Sequence, residues 1–313
     1  MPQEASSPGQ SKASWLILAL SPALMASNMI AARWIGGSIP PVATAFWRWL
    51  LTFLILLPFV GPALWQARAK IATHWRGILL LGGLGMGLCG APVYQGAITT
   101  TATNIGLIYA TAPVLVLLLE RFVWQTPVTG RQILGIILCL TGMAGLIAKG
   151  DIGMLLHLSF TPGDLWIVLA TLSWALYSVL LKRQPDQLPL VPRLAAMAAG
   201  GVIVTLPFLV AETWVVGPPT LDQRTVVTLL FLALVPAIAA YLTYAWLIGR
   251  FGPERASLLM YLAPVYNAGI AWALLGELPQ LFHLFGLAMI LPGLYLASVP
   301  RGAGLLRFRR LFR

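Results

Sequence analysis

Arg48 is the residue whose chemistry is hardest to ignore. It sits about eight residues past Pro40 in an apolar run, roughly 12 Å along a helix axis at 1.5 Å per residue. A charge near the centre of a lipid-embedded helix costs about 2.5–3.5 kcal/mol on the insertion scale. Two readings fit: the side chain snorkels to headgroups, helped by Trp47 and Trp49, or it is an interior cation that meets a carboxylate or helix carbonyls. Other polar groups lie deep in apolar runs, where lipid offers no hydrogen-bond partner and a polar side chain must face another helix or a wet cavity. Asn28 shares a helical face with Ser21 and Met25, and Tyr94 and Gln95 follow a face marked by Gly83, Gly87 and Gly90. Tyr109 stands four residues before Pro113, and Tyr261 stands three before Pro264, with Tyr266 and Asn267 just after. Trp174 and Tyr177 share a stretch with Trp166, Ser173 and Ser178, while Tyr241 and Tyr244 lie one turn apart. The expected cavity set is Asn28, Arg48, Tyr94, Gln95, Tyr109, Trp174, Tyr177, Tyr244, Tyr261 and Asn267. Pro113 and Pro264 are the expected bends, because proline frees a backbone carbonyl and kinks a helix.

No constellation for catalysis accompanies them. Asp164, Glu120, Glu254 and Glu277 fall near the ends of apolar runs, as do His74, His157 and His283. Cys89 and Cys139 read as small apolar residues. An enzyme, a metal site and a cofactor are therefore not expected, and no embedded carboxylate or histidine announces proton coupling. Trp15, Trp34, Trp65, Trp75, Trp124 and Trp214 are placed where an interfacial aromatic belt would lie.

The elements that must position these groups follow from composition. The 313 residues are 59% hydrophobic and 9% charged, with a mean hydropathy of +0.85. Soluble chains carry about 25% charged residues, and a soluble fold buries only about 75% of the surface its unfolded chain exposes. An ordinary cytosolic enzyme, a disordered chain and a disulfide scaffold are excluded. The apolar runs are long and do not alternate, which points to helices of about 20 residues rather than barrel strands of about 10. Ten spans are expected: Ala13–Ile35, Pro40–Leu64, Trp75–Ile98, Thr103–Trp124, Val128–Ala148, Pro162–Leu181, Leu190–Val216, Thr225–Gly249, Arg255–Leu275 and Gln280–Val299. The first is too long for the apolar core of a signal peptide, about 7–15 residues, so it is read as a span.

The net charge of +11 could suggest nucleic acid, but its placement argues against that partner. With a cytoplasmic N-terminus, 16 of the 20 basic residues fall on the cytoplasmic side, including Arg68, Lys70, Arg76 and five arginines of the last 13 residues. Arg33, Lys149 and Arg224 face the other way. Both termini are thus expected in the cytoplasm, with the basic tail on anionic lipid.

A shift of 151 residues brings the chain into register with itself. Trp15, Leu18 and Ala19 fall on Trp166, Leu169 and Ala170; Ala112-Pro113-Val114 falls on Ala263-Pro264-Val265; Gly135 and Gly142 fall on Gly286 and Gly293. Five spans per half is an odd number, so the second half enters from the opposite side. The basic loop of Arg68, Lys70 and Arg76 is accordingly answered by Glu212, Asp222 and a single Arg224. The expected architecture is an all-α membrane protein of ten transmembrane helices, as two inverted five-helix repeats around a central cavity. Its parts are a tail 1–12, a repeat 13–149, a periplasmic linker 150–161, a second repeat 162–299 and a basic tail 300–313.

Each half resembles the five-helix unit of the drug/metabolite transporter superfamily, EamA type. The resemblance rests on Gly163-Asp164-Leu165-Trp166 leading to Trp174-Ala175-Leu176-Tyr177, and on Ala263-Pro264-Val265 through Gly276-Glu277 to Gly286 and Gly293. Arg48 sits where that family often has an arginine. One departure is Thr126, which stands in the first half where Glu277 stands in the second. The resemblance implies export of small metabolites across a bacterial inner membrane, and it is similar to the amino-acid exporters, including the aromatic amino-acid (YddG-like) branch. A cavity of tyrosines, tryptophans, amides and hydroxyls suits small zwitterions better than polyanions. The expectation is an alternating-access exporter of amino acids or related small metabolites that acts as a monomer. The alternatives are a multidrug or other metabolite carrier of the same fold, and a passive channel-like facilitator. The energy source is not legible.

Overall fold

The computed structural model describes residues 12–35, 39–149, 151, 153, 159–184, 188–220, 222–263, 265–266 and 280–298. Among these the chain is helical throughout, with no strand. The helices are α1 (Lys12–Ile35), α2 (Pro41–Gln66), α3 (Trp75–Thr99), α4 (Ala102–Ala110 continued by Ala112–Phe122) and α5 (Gly130–Ile147). They are followed by α6 (Pro162–Arg183), α7 (Leu190–Val216), α8 (Gln223–Phe251), α9 (Pro253–Leu258, run on by a 3-10 turn Leu259–Leu262) and α10 (Leu281–Ser298). Among the described residues, seven helices, α2 to α8, are long and apolar enough to cross a membrane, and α10 contributes a shorter apolar helix. The ninth expected span, Arg255–Leu275, enters α9, and residues 264 and 267–275 of it lie outside the described residues, among them Pro264 and Asn267, as does Glu277 beyond it.

The outer surface confirms the solvent. Phe59, Phe122 and Trp214 are 81%, 76% and 87% exposed, among many other bare apolar side chains. Water-soluble monomers rarely expose contiguous apolar patches beyond a few hundred Å². The chain is a multi-pass membrane protein. Trp65, Trp75 and Trp214 are exposed near helix ends, the positions of an interfacial belt.

Helix starts are tied to side chains from sequence neighbours and from remote helices. Thr129 and Gln132 form a reciprocal capping box at α5. Asp222 accepts from the Thr225 amide at 2.8 Å to open α8, and the Thr225 side chain and backbone hold its carboxyl below the usual carboxylate range. At α2, where proline occupies the first position, the Val42 and Ala43 amides donate to the two carboxylate oxygens of Glu212 at 2.8 and 2.7 Å. Glu212 belongs to the far end of α7, so a carboxylate from one helix neutralises the positive end of another. Asp164, fully buried, binds Asn104 Nδ2 at 2.9 Å, the Thr100 hydroxyl and the Thr161 amide, joining α3, α4 and α6. Glu120 pairs with Arg183, which also stacks on Trp124 with its guanidinium carbon 4.4 Å from the ring centroid.

The 151-residue shift reappears as geometry. A π-helical stretch occupies Gly83–Leu88 in α3 and another occupies Ala233–Ala239 in α8, so residues 83–88 land on 234–239. α4 breaks at Thr111, with Pro113 in the first turn of its continuation, while the 3-10 turn of α9 begins 151 residues after Ile108. α2 packs on α7 and α5 on α10. In the α5–α10 crossing Gly135 faces Gly293 and Gly142 faces Gly286, and a Cβ on Gly135 would lie 2.5 Å from the Gly293 carbonyl oxygen. Glycines at this spacing let two backbones approach, which in lipid is a principal source of helix association.

Gly135→Ala should therefore destabilise the bundle by about 1–3 kcal/mol through overpacking. Gly249→Ala in α8, where an added Cβ meets nothing within 4 Å, should be neutral or stabilising by up to about 1 kcal/mol. Thermal unfolding of the two detergent-purified variants compares them; equal melting temperatures would refute the close-crossing argument.

Candidate functional site

A cavity of about 160 Å³ lies where both halves of the chain meet. The first half lines it with Met25, Asn28, Arg48, Cys89, Tyr109, Ala110, Ala112, Pro113 and Met143. The second half contributes Trp174, Pro236, Tyr241, Met260 and Tyr261. Arg48 is the one charged group among these lining residues.

Arg48 is 3% exposed, and its guanidinium turns inward rather than toward a headgroup layer. Nη1 donates to Asn28 Oδ1 at 2.9 Å and to the Tyr94 hydroxyl at 3.2 Å, and Nη2 donates to the Pro236 carbonyl at 2.7 Å. Tyr94 in turn donates to Asn28 Oδ1 at 3.0 Å. The guanidinium carbon stands 4.9 Å from the Trp49 ring centroid and 6.0 Å from that of Tyr241. Three acceptors and two aromatic faces thus offset the cost of the buried charge. Arg48 Nε is buried with no hydrogen-bond partner among the described residues.

The π-helical stretches supply the acceptors that this network uses. A π turn leaves carbonyls displaced from the ordinary i→i−4 ladder, and such turns are common at functional sites. Arg48, from the first half, binds Pro236 O; Tyr241, from the second half, binds Gly85 O. Gly85 and Pro236 are 151 residues apart and so equivalent. Ser173 adds a bond to Leu84 O at 2.9 Å. Each half's irregular helix is therefore held by a side chain of the other half.

Of the residues expected from sequence, Asn28, Arg48, Tyr109, Trp174, Tyr261 and Pro113 line the cavity. Tyr94 joins them through its bonds to Asn28 and Arg48. Tyr177 and Tyr244 are fully buried in a layer against Trp174, at ring separations of 5.5 and 4.6 Å, and do not line it. Tyr244 meets Ser178 Oγ at 2.9 Å there. Gln95 is half-buried and is not among the lining residues. Pro264 and Asn267 lie outside the described residues. Sequence reasoning passed over Tyr241, Pro236 and Cys89. Tyr241 and Tyr244 are one helical turn apart, and only packing decides which of them faces the cavity. Pro236 had a signal: it is the repeat partner of Gly85 in a glycine-rich stretch, and both are poor residues for a regular helix interior.

A largely apolar and aromatic cavity that carries one fixed guanidinium and is built from helices of both halves is a site of the kind a membrane transporter offers a small solute. Residues 13–148 and 161–299 each match the model of the EamA-like transporter family, and the chain belongs to that family. It is 26% identical to the uncharacterized transporter YyaM of Bacillus subtilis (strain 168), over 85% of this chain and 87% of that one. It is 27% identical to a probable amino-acid metabolite efflux pump of Escherichia coli (strain K12), over 83% and 86% of the two chains. A solved crystal structure superposes with a TM-score of 0.70 at 18% identity, covering 95% of this chain and 98% of that one, which shows a shared fold.

Tyr241→Phe removes the hydroxyl that donates to the Gly85 carbonyl and should cost about 1–3 kcal/mol. Tyr244→Phe leaves Ser178 its bond to the Trp174 carbonyl and should cost less than about 1 kcal/mol. Thermal unfolding in detergent measures both; the opposite ranking would refute the role assigned to the Gly85 carbonyl.

Proposed function

We propose that this protein exports amino acids or closely related small metabolites across a bacterial inner membrane by alternating access. One observation carries the reading: a single guanidinium, fixed by three hydrogen bonds, opens onto an otherwise apolar and aromatic cavity. Arg48 would receive the substrate carboxylate, for which the planar fork of arginine is suited. Tyr109, Trp174, Tyr241 and Tyr261 would pack the substrate side chain. The similarity to a probable amino-acid metabolite efflux pump supports the same substrate class. Cavity size weighs against a multidrug carrier: a 150 Å³ cavity accommodates a benzene-sized molecule, whereas drug-sized ligands occupy about 300–1,000 Å³.

The proposed architecture is ten spans in two inverted repeats, 13–149 and 162–299, joined by a periplasmic linker 150–161. The tails 1–12 and 300–313 lie in the cytoplasm, and the monomer is the working unit. Two contacts support a pseudo-two-fold axis. Tyr261 donates to Ala110 O at 2.8 Å and Cys139 donates to Ile290 O at 3.7 Å, and in each the partners are 151 residues apart. A residue that touches its own repeat equivalent lies beside the axis that relates the repeats. The substrate site near that axis, at the bilayer midplane, is the usual arrangement of repeat-built carriers. Pro113 and Pro264, with the two π-helical stretches, are the proposed bends.

Counterflow of radiolabelled amino acids in proteoliposomes tests the function. Saturable exchange is expected, with competition by excess unlabelled amino acid and none by the amine that lacks its carboxylate. Arg48→Ala should weaken apparent affinity about thirtyfold, the equivalent of about 2 kcal/mol, with the protein retained in the membrane, and Arg48→Lys should be intermediate. Equal competition by the amine, or undiminished transport by Arg48→Ala, would overturn the carboxylate role, and unsaturable flux would indicate a pore. Single cysteines beside Tyr94 and Tyr261, in a background lacking Cys89 and Cys139, should label from both sides of the membrane. Labelling from one side under every condition would contradict alternating access.

A further inference from the structure

The three acceptors that hold the Arg48 guanidinium are an amide oxygen, a hydroxyl and a backbone carbonyl, and none of them carries a charge. Asn28 is the one whose identity is a choice of charge. Arginine only donates, so the oxygen end of the Asn28 amide is the end that meets Nη1, at 2.9 Å. The same Oδ1 accepts from the Tyr94 hydroxyl at 3.0 Å, and that hydroxyl accepts from Nη1 at 3.2 Å, which closes a triangle. Two donors converging on one oxygen fix the amide and the guanidinium against each other. An aspartate has the same shape and would place a carboxylate oxygen at this point, turning the bond into an ion pair. The residue at position 28 therefore decides whether α1 orients the cation alone or also cancels its charge. Asn28 and Arg48 both line the central cavity, and Cys89 lines it with them.

We propose that Asn28 is a specificity-determining residue. It positions the guanidinium without supplying a counter-charge, and so makes the cavity favour an anionic group over a cationic group of the same shape. A unit charge added at hydrogen-bond distance from the guanidinium changes the potential in a low-dielectric site far more than the loss of one neutral hydrogen bond does. Charge at position 28, rather than the bond geometry it shares with aspartate, thus sets which sign of group is accepted. The consequence for transport rests on the carboxylate-binding reading given above. The preference between charges does not depend on which solute is carried.

Cys89 reports that preference without any substrate. The full chain in neutral detergent is treated with the anionic sulfonatoethyl or the cationic trimethylammonioethyl methanethiosulfonate, and modification of Cys89 is followed by peptide mass spectrometry. Taking the ratio of the two rates cancels any change in the ionised fraction of the thiol. Relative to the same ratio for 2-mercaptoethanol, the wild type should favour the anionic reagent about tenfold. Asn28→Asp should abolish that preference, and Asn28→Ala, which loosens the guanidinium but adds no charge, should keep most of it. A wild type at parity, an Asn28→Asp ratio equal to that of the wild type, or equal loss in both variants would overturn the proposal. The first of these outcomes needs no variant to fold. Counterflow with an amino acid and its decarboxylated amine as competitors separates this proposal from the substrate assignment. Expected Cys89 ratios with no competition by the amino acid would sustain the selectivity and sink the assignment. Competition by the amino acid, with Asn28→Asp still preferring it to the amine as strongly as the wild type does, would sustain the assignment and sink the selectivity.

Discussion

The bond from the Arg48 guanidinium to the Pro236 carbonyl is the interaction around which the interior is arranged. A cation inside lipid-surrounded helices survives only if the protein supplies acceptors, and an ordinary α-helix has none to spare in its interior because each carbonyl is already bonded. The π-helical stretch of α8 makes such an acceptor available, and Asn28 and Tyr94 complete the set. Trp49 and Tyr241 close over the guanidinium. Once the charge is placed, the relative positions of α1, α2, α3 and α8 around it are constrained together.

The same device is used twice with different chemistry. In α3 the exposed carbonyl belongs to Gly85, and its donor is the hydroxyl of Tyr241 rather than a cation. The backbone irregularity is shared by both halves, while the side chains that satisfy it differ. Duplication thus accounts for the paired helix defects, and divergence accounts for a site with one charge instead of two. Both bonds cross between the halves, so any relative motion of the halves must exchange or break them, and the irregular helices sit where that motion would be felt.

Acids and glycines do the remaining structural work. Glu212, Asp164 and Glu120 each serve helix ends or interhelical contacts, where a carboxylate has amide, hydroxyl or guanidinium partners that lipid would deny it. This explains why the few acids near span ends give no sign of a proton relay: those described are committed to holding helices. Where no charge is available, as in the α5–α10 crossing, bare glycine backbone allows the close contact instead.

Composition and run length by themselves determined a multi-pass helical membrane protein, because 59% hydrophobic residues in long unalternated runs have no other stable solvent. The 151-residue shift was equally legible and marked Gly135, Gly142, Gly286 and Gly293 as repeat equivalents, but the structure decided that Gly135 faces Gly293 and Gly142 faces Gly286. Asn28, Arg48 and Tyr94 could be nominated one by one, since a polar side chain in an apolar run always needs a partner. Only the tertiary structure decided that these three are partners of one another. It also decided that Tyr241 rather than Tyr244 faces the cavity, and that Glu212 caps a helix 170 residues away. Helical periodicity specifies a face to within a turn, and cannot specify which neighbour that face meets. The π-helical turns lay further out of reach, because their cost is repaid by donors on other helices, and those donors are adjacent only after folding.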